Sequence, residues 1–257
     1  MKTIFAVCRR KRKLFCFILL GLLAYLFFTV VRSWLLLSNG RRIAEHSQSF
    51  KRDYYIGNKS HTPLTYLVMG DSTAAGWGAA QLSGSYPYQI AEAVAERGYY
   101  VRVINVAIGG ARLNDLNREQ LPALKRVKPD LITISIGAND TNHFTSESDY
   151  LRDLQILLSA LKKSSSRKVL IANTPDMYQA PALTLPLSIA TNNRARRLNA
   201  ILDESLKGTN IKKVELYNEG KLIYRENPSL YAADLFHPSS EGYGVWAKLF
   251  IRELNDL

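Results

Sequence analysis

A chain of 257 residues allows one domain of ordinary size with an appendage, and 47% hydrophobic against 22% charged residues is a globular composition. The net charge of +12 is unevenly placed: residues 1–44 carry nine Lys or Arg and no acid, which leaves 25 basic against 22 acidic residues elsewhere. A nucleic-acid footprint needs a basic stripe on the folded body itself, and none with interleaved aromatics is visible, so no nucleic-acid partner is expected. Cys8 and Cys16 both lie in the N-terminal segment. The body therefore has no internal disulfide, thiolate nucleophile or cysteine zinc site, and its histidines show no metal-ligand spacing.

Residues 14–31 (LFCFILLGLLAYLFFTVV) are free of charge. As a helix they cover roughly 27 Å, close to a hydrocarbon core of about 30 Å. Five basic residues, Arg9 to Lys13, precede the run, and Arg32 and Trp34 follow it as boundary residues. The charge asymmetry predicts a cytoplasmic N-terminus (1–13), a single-pass signal-anchor (14–37) in the cell membrane, and an extracytoplasmic body. A cleavable signal peptide is the rival, but the run is long and no small-x-small site follows it. Residues 38–63 are polar and read as an irregular juxtamembrane stalk, ahead of a domain over 64–257. Within the stalk, Asn58-Lys59-Ser60 is a glycosylation sequon.

In the body, residues 65–69 form a short apolar run ending in Gly70-Asp71-Ser72, a strand feeding a loop. A helical stripe over 87–97 leads to a strand at 99–106 and a helix at 113–127. The run 131–136 (LITISI) is a buried strand, and 146–163 an amphipathic helix with Leu151, Leu154, Leu157, Leu158 and Leu161 on one side. A strand at 169–173, a helix at 189–206, a strand at 211–217 and a closing helix at 239–254 complete the pattern. Continuous apolar strands alternating with helices predict an α/β fold, a doubly wound parallel sheet of about five strands with helices on both faces. Such sheets bind ligands outside the carboxyl ends of their strands, where Ser72, Gly110 and Asn139 would converge.

Four blocks carry the chemistry: Gly70-Asp71-Ser72-Thr73, residues 105–110, Gly137-Ala138-Asn139-Asp140, and Asp234-Leu235-Phe236-His237. Ser72 supplies a hydroxyl that needs a base to act as a nucleophile; its other reading, shared with Asp71, is a helix N-cap. Asp234 and His237, three apart in one turn, allow the carboxylate to fix the imidazole tautomer and leave the far nitrogen for Ser72. The backbone N–H groups of Ser72 and Gly110 and the amide of Asn139 would make a three-donor oxyanion hole. A tight turn at Gly109-Gly110 and an Asx-turn at Asn139 are the plain alternatives. Trp77 lines the acyl or leaving-group side or belongs to the core; His143 lines the pocket or rivals His237 as base. The apolar stretch 175–190, with three prolines, is a lid, an acyl wall or a packed loop. Ala74 stands where a Gly-x-Ser-x-Gly elbow needs its second glycine, which argues against the ordinary α/β-hydrolase arrangement.

With its blocks in this order, the chain resembles the SGNH hydrolases, also called the GDSL-type esterase/lipase family, over about residues 64–256. Gly242-Tyr243 after the histidine block matches that family as well; Thr73 departs from its common leucine. The resemblance implies a flavodoxin-like three-layer α/β/α sandwich. It also implies Ser72 as nucleophile, Asp234 and His237 as acid and base, and Gly110 and Asn139 as oxyanion donors. No cofactor or metal is implied. The expected activity is ester hydrolysis by a membrane-anchored serine esterase acting on lipid or lysophospholipid esters or on acetyl esters of envelope polysaccharide. Acyl transfer to a sugar is one alternative and a non-catalytic anchored scaffold another.

Overall fold

The computed structural model describes residues 2–38 and 40–255; residues 1, 39, 256 and 257 of the expected segments lie outside the described residues. In chain order the elements are α1 (Lys2–Ser38), α2 (Gly40–Gln48), β1 (Asp53–Ile56), β2 (Thr62–Gly70), α3 (Tyr86–Glu96), β3 (Tyr99–Asn105), α4 (Leu113–Glu119), α5 (Pro122–Val127), β4 (Leu131–Ser135), α6 (Ala138–Asn142), α7 (Glu147–Lys162), β5 (Lys168–Ala172), α8 (Leu187–Leu206), β6 (Lys212–Val214), α9 (Leu216–Glu226) and α10 (Ser240–Arg252). Among the described residues the strands make one six-stranded sheet in the order β1-β3-β2-β4-β5-β6. The five strands from β2 onward are parallel; β1 pairs antiparallel with β3 at the edge. All five expected strands are present, and the sixth comes from a stretch read as irregular.

Side chains of β2 alternate between two cores. Leu64, Tyr66 and Val68 face the α3, α9 and α10 layer, with Ile90, Val94, Trp246 and Phe250. Leu67 and Met69 face the α4, α5, α7 and α8 layer, with Leu116, Leu154, Leu157 and Leu198. Both sheet faces are thus covered, which is why the strands read as continuous apolar runs instead of alternating ones. The architecture is the three-layer α/β/α sandwich, with the flavodoxin strand order once β1 is set aside.

Several expectations are corrected. The helix expected over 113–127 is two helices, because Pro122 lacks an N–H and opens α5 as its first residue. The short α6 and the longer α9 were not expected. In α9 Leu216, Gly220 and Tyr224 form a buried stripe at helical spacing, while Leu222 and Ile223 stay 63% and 44% exposed on the other side. The largest correction concerns residues 38–63, which are not an irregular stalk. They hold α2, strand β1 and the start of β2. Tyr54 of β1 is buried in the α3-side core and stacks on Tyr88, ring centroids 5.8 Å apart.

The segment expected as an anchor is also helical and touches the body. Residues Lys11–Leu36 of α1 are long and apolar enough to cross a membrane and are almost wholly exposed. Near its C-terminal end, Arg32 Nη1 donates to Pro181 O at 3.4 Å. Ser33 Oγ lies 3.0 Å from Thr184 Oγ1 and accepts the Thr184 N–H at 3.2 Å. Thr184 Oγ1 donates to the Thr29 carbonyl at 3.1 Å.

The carboxyl end of β2 is held by a side chain acting as a strand. Buried Gln120 accepts the Gly70 N–H through Oε1 and donates Nε2 to the Gly70 carbonyl, both at 2.8 Å. The carbonyl also receives the Ile108 N–H, whereas no other acceptor takes the Gly70 N–H among the described residues. Replacing Gln120 by Leu preserves volume but strands that N–H, and is expected to cost roughly 1–3 kcal/mol. Thermal unfolding of the full chain in detergent micelles checks the loss.

Candidate active site

Gly70 leaves β2 at φ +140°, and a β-carbon there would lie 2.1 Å from the Ser135 carbonyl of β4. Only glycine fits this approach. Asp71 donates its N–H to the same carbonyl at 3.0 Å, so the chain turns sharply over β4. Residues 72–78 then form successive tight turns, closed by Trp77 N–H to Ser72 O at 2.9 Å. The first helix after them, α3, begins only at Tyr86, so Ser72 is not its N-cap. Thr73 sends its hydroxyl inward, 2.8 Å from Asp71 Oδ1 and 2.9 Å from Ser135 Oγ. The threonine that departs from the usual leucine thus fastens the loop to β4.

His237 reaches this loop from the other end of the chain. Its Nε2 lies 2.8 Å from Ser72 Oγ and its Nδ1 2.5 Å from Asp234 Oδ2. All three residues are buried. Asp234 Oδ1 accepts the N–H groups of Phe236 and His237, both at 3.0 Å, which holds the carboxylate inside its own turn. Burial pushes the Asp234 carboxyl up, but the His237 hydrogen bond and charge together with these N–H donors outweigh it and leave it below the usual carboxylate range. Leu235, between the two, sits at φ +57° and receives the Ala182 N–H at 3.0 Å.

The third block is tied to the residues that directly follow the second. Asn139 Nδ2 donates to Ala111 O at 3.0 Å and Asp140 Oδ2 accepts the Leu113 N–H at 2.9 Å. Gly110 takes φ +79° with open space where a β-carbon would stand, while a β-carbon on Gly109 would strike the Trp77 ring at 2.0 Å. The two glycines therefore serve different needs, left-handed backbone at 110 and close ring contact at 109. Among the described residues no protein acceptor takes the N–H of Ser72 or of Gly110. These two donors and the second hydrogen of the Asn139 amide are free for an incoming oxygen.

Trp77 is half-buried, packed against the core, with its ring 5.5 Å from that of His237. His143 is exposed, with Nδ1 2.9 Å from the Asn139 carbonyl; the structure does not bring it to Ser72. The stretch 175–190 is a loop running into the first turn of α8, packed on one side: Met177, Ala180 and Leu183 form a small cluster with Ala195. It also walls a small cavity of about 50 Å³ that reaches Thr73 and Phe236. No group of three or more His, Cys, Asp or Glu placed to hold a metal ion occurs among the described residues.

One residue of the site frame had no signal in the blocks. Arg52, just before β1, donates Nη1 to Ala107 O at 3.0 Å and approaches Asn105 Oδ1 at 3.5 Å, while its carbonyl accepts the Asn105 N–H at 2.8 Å. Asn105 in turn donates to Ala74 O at 2.8 Å, linking the Gly110 loop to the Ser72 loop. Arg52 lies in a stretch whose composition reads as a polar stalk, and only the strand at 53–56 points to it.

A doubly wound α/β/α sandwich with these four loops on its carboxyl rim is the SGNH hydrolase fold. The chain belongs to the GDSL-like lipase/acylhydrolase family, whose profile matches residues 68–245. It is 30% identical over 196 residues to the GDSL-like esterase Rv1075c of Mycobacterium tuberculosis, covering 74% of this chain and 61% of that protein. It is also 30% identical over 105 residues to an arylesterase of Vibrio mimicus, covering 41% of this chain and 52% of that one. The chain thus spans between half and two thirds of the length of these curated relatives. Among solved structures, the lipase/acylhydrolase from Enterococcus faecalis superposes with a TM-score of 0.57 at 24% identity, covering 74% of this chain and 95% of that chain. TesA gives a TM-score of 0.60 at 21% identity, covering 74% and 98%. The acetylxylan esterase Axe2 from Geobacillus stearothermophilus gives 0.52 at 18%, covering 78% and 98%.

Asp71, beside Ser72, is a buried carboxylate pushed up to about 6 by desolvation, against the pull of its Thr73 hydrogen bonds and the charge of His237. A raised carboxyl means the folded state prefers the proton. Its contribution to stability is therefore full below about pH 4 and is lost as pH rises through about 6. Asp71→Asn retains an oxygen for both Thr73 donors without the charge. It is expected to raise the melting temperature by several degrees at pH 8, corresponding to at most roughly 3 kcal/mol. The gap should close between about pH 6 and 4 in melts followed across that range.

Proposed function

We propose that this protein is a membrane-anchored serine esterase that hydrolyses acyl esters through Ser72, His237 and Asp234. The observation that carries the reading is the continuous chain of buried residues Asp234–His237–Ser72; among the described residues the N–H groups of Ser72 and Gly110 take no protein acceptor. With Nδ1–H given to Asp234, His237 offers the Nε2 lone pair to the Ser72 hydroxyl. Ser72 Oγ attacks the ester carbonyl while its proton passes to Nε2. The carbonyl oxygen, now negative, sits among the N–H groups of Ser72 and Gly110 and the Asn139 amide. The proton on His237 leaves with the alcohol, forming an acyl-Ser72 ester. Water then enters and attacks the acyl carbon as it gives a proton to His237; that proton returns to Ser72 Oγ as the acyl–oxygen bond breaks and the acid leaves. Asp234 stays ionised throughout, and its lowered pKa fits that role. The relatives named as esterases support this class of reaction.

Anchoring rests on the span within α1 and on the basic run Arg9 to Lys13 before it, which favours a cytoplasmic N-terminus and an extracytoplasmic site. Between a lipid ester and an acetyl ester of envelope polysaccharide, the packing of α1 on the 181–184 loop favours the lipid.

The test uses the full chain in detergent with p-nitrophenyl esters of increasing chain length and a fluorophosphonate label. Ser72→Ala is expected to abolish labelling and lower kcat by several orders of magnitude. Asn139→Ala should keep the label but cost about 10²–10³ in kcat, as loss of one oxyanion donor does. A native chain that neither labels nor cleaves any ester would move the reading to an anchored binding protein.

A further inference from the structure

The segment that leaves the membrane does not hold the body at a distance. Thr29, whose carbonyl accepts the Thr184 hydroxyl, lies inside the uncharged run 14–31. Arg32 and Ser33, at its end, grip Pro181 and Thr184. The 181–184 loop is therefore level with the last turn of the uncharged run 14–31, where hydrocarbon gives way to headgroups. Beside that grip the body shows large apolar side chains to the outside. Tyr178 is 50% exposed, Leu185 43% and Ile189 48%. A soluble surface has no use for them at this height, but an interface rewards their burial. Ile108 and Phe144, 42% and 55% exposed, stand on the same rim in the loops of Gly110 and Asn139.

From Arg32 the helix rises about 9 Å to Ser38. Two residues later, a β-carbon on Gly40 would lie 3.5 Å from Asp234 Oδ2. Headgroups occupy about 5–8 Å on each side of the hydrocarbon, so the acid–histidine turn sits just above them. The same turn is joined to the gripped loop through the Ala182 N–H and the Leu235 carbonyl.

We infer that the carboxyl rim of the sheet, with Tyr178, Leu185 and Ile189 at its lowest point, is seated in the interface of the bilayer that holds α1, so that the site opens at the membrane surface. This rests on the anchored reading above and goes beyond it by fixing which face meets the lipid. The occupant of the apolar rim is the bilayer itself, because the rim is continuous with the span. Esters within reach are then those held at headgroup level by an amphiphile.

The experiment reconstitutes the full chain, with Cys8 and Cys16 replaced by Ser, into phosphatidylcholine vesicles containing brominated phosphatidylcholine. A bimane label is placed at Leu185→Cys or, as the far-side control ahead of β5, at Ser165→Cys. Label at 185 is expected to be quenched several-fold more than label at 165. Leu185→Asp with Ile189→Asp should keep the rate on soluble p-nitrophenyl acetate and lose roughly tenfold or more on a long-chain p-nitrophenyl ester carried in the vesicles. Equal quenching at 185 and 165, in protein that stays with the vesicles after an alkaline carbonate wash, overturns the inference while leaving the anchor standing. Protein washed off the vesicles overturns the anchor and the inference together. Neither quenching result depends on whether Ser72 is active, so a failed esterase reading would be seen separately.

Discussion

The approach of Gly70 to the Ser135 carbonyl is the constraint on which the site depends. Two parallel strands, β2 and β4, are in register to their last residues, and the chain must turn over the neighbouring strand at once. The turn leaves Ser72 above the sheet with its N–H unused among the described residues, and the other loops are arranged around it. Gln120 saturates the last peptide of β2, Thr73 ties the turn to Ser135, and Asn105 ties it to the Gly110 loop. Each tie uses a side chain to satisfy backbone or hydroxyl groups that a longer strand would have satisfied with main chain. The rim stays open to a ligand because its hydrogen bonds run downward into the sheet.

Charge is handled in the same economical way. Three carboxylates, Asp71, Asp140 and Asp234, are buried within the blocks. Asp71 and Asp140 accept only neutral donors and are raised by burial. Asp234 faces an imidazole and is lowered. Differences of partner, more than differences of depth, set the protonation of these three acids.

Much of this was legible in the sequence because it depends on local spacing or on strand periodicity. The Asp234 and His237 pair lies within one turn, and the apolar runs at 131–136 and 169–173 announce buried parallel strands. Three kinds of feature were not legible. Arg52 acts through a tertiary contact across the sheet edge, and its own neighbourhood is polar. Strand β1, only four residues long with two tyrosines, is formed by pairing with β3 more than by its own pattern. Helix α9 is punctuated by Gly220, and its buried stripe of Leu216, Gly220 and Tyr224 is interleaved with the exposed apolar Leu222 and Ile223. In each case the information lies in a partner distant in the chain, and local propensity is a weak guide there.

Strand β1 has a further effect at the margin of the sheet. Without it, β3 would present seven residues of unpaired backbone, long and flat enough to template another chain. Antiparallel β1 occupies that edge, and its own outer side is short and carries the Asp53–Arg102 ion pair at its start. At the opposite margin β6 has only three residues, two of them lysines. Both borders are thereby poor seeds for strand addition, so that neighbouring copies of the chain meet without extending each other's sheet.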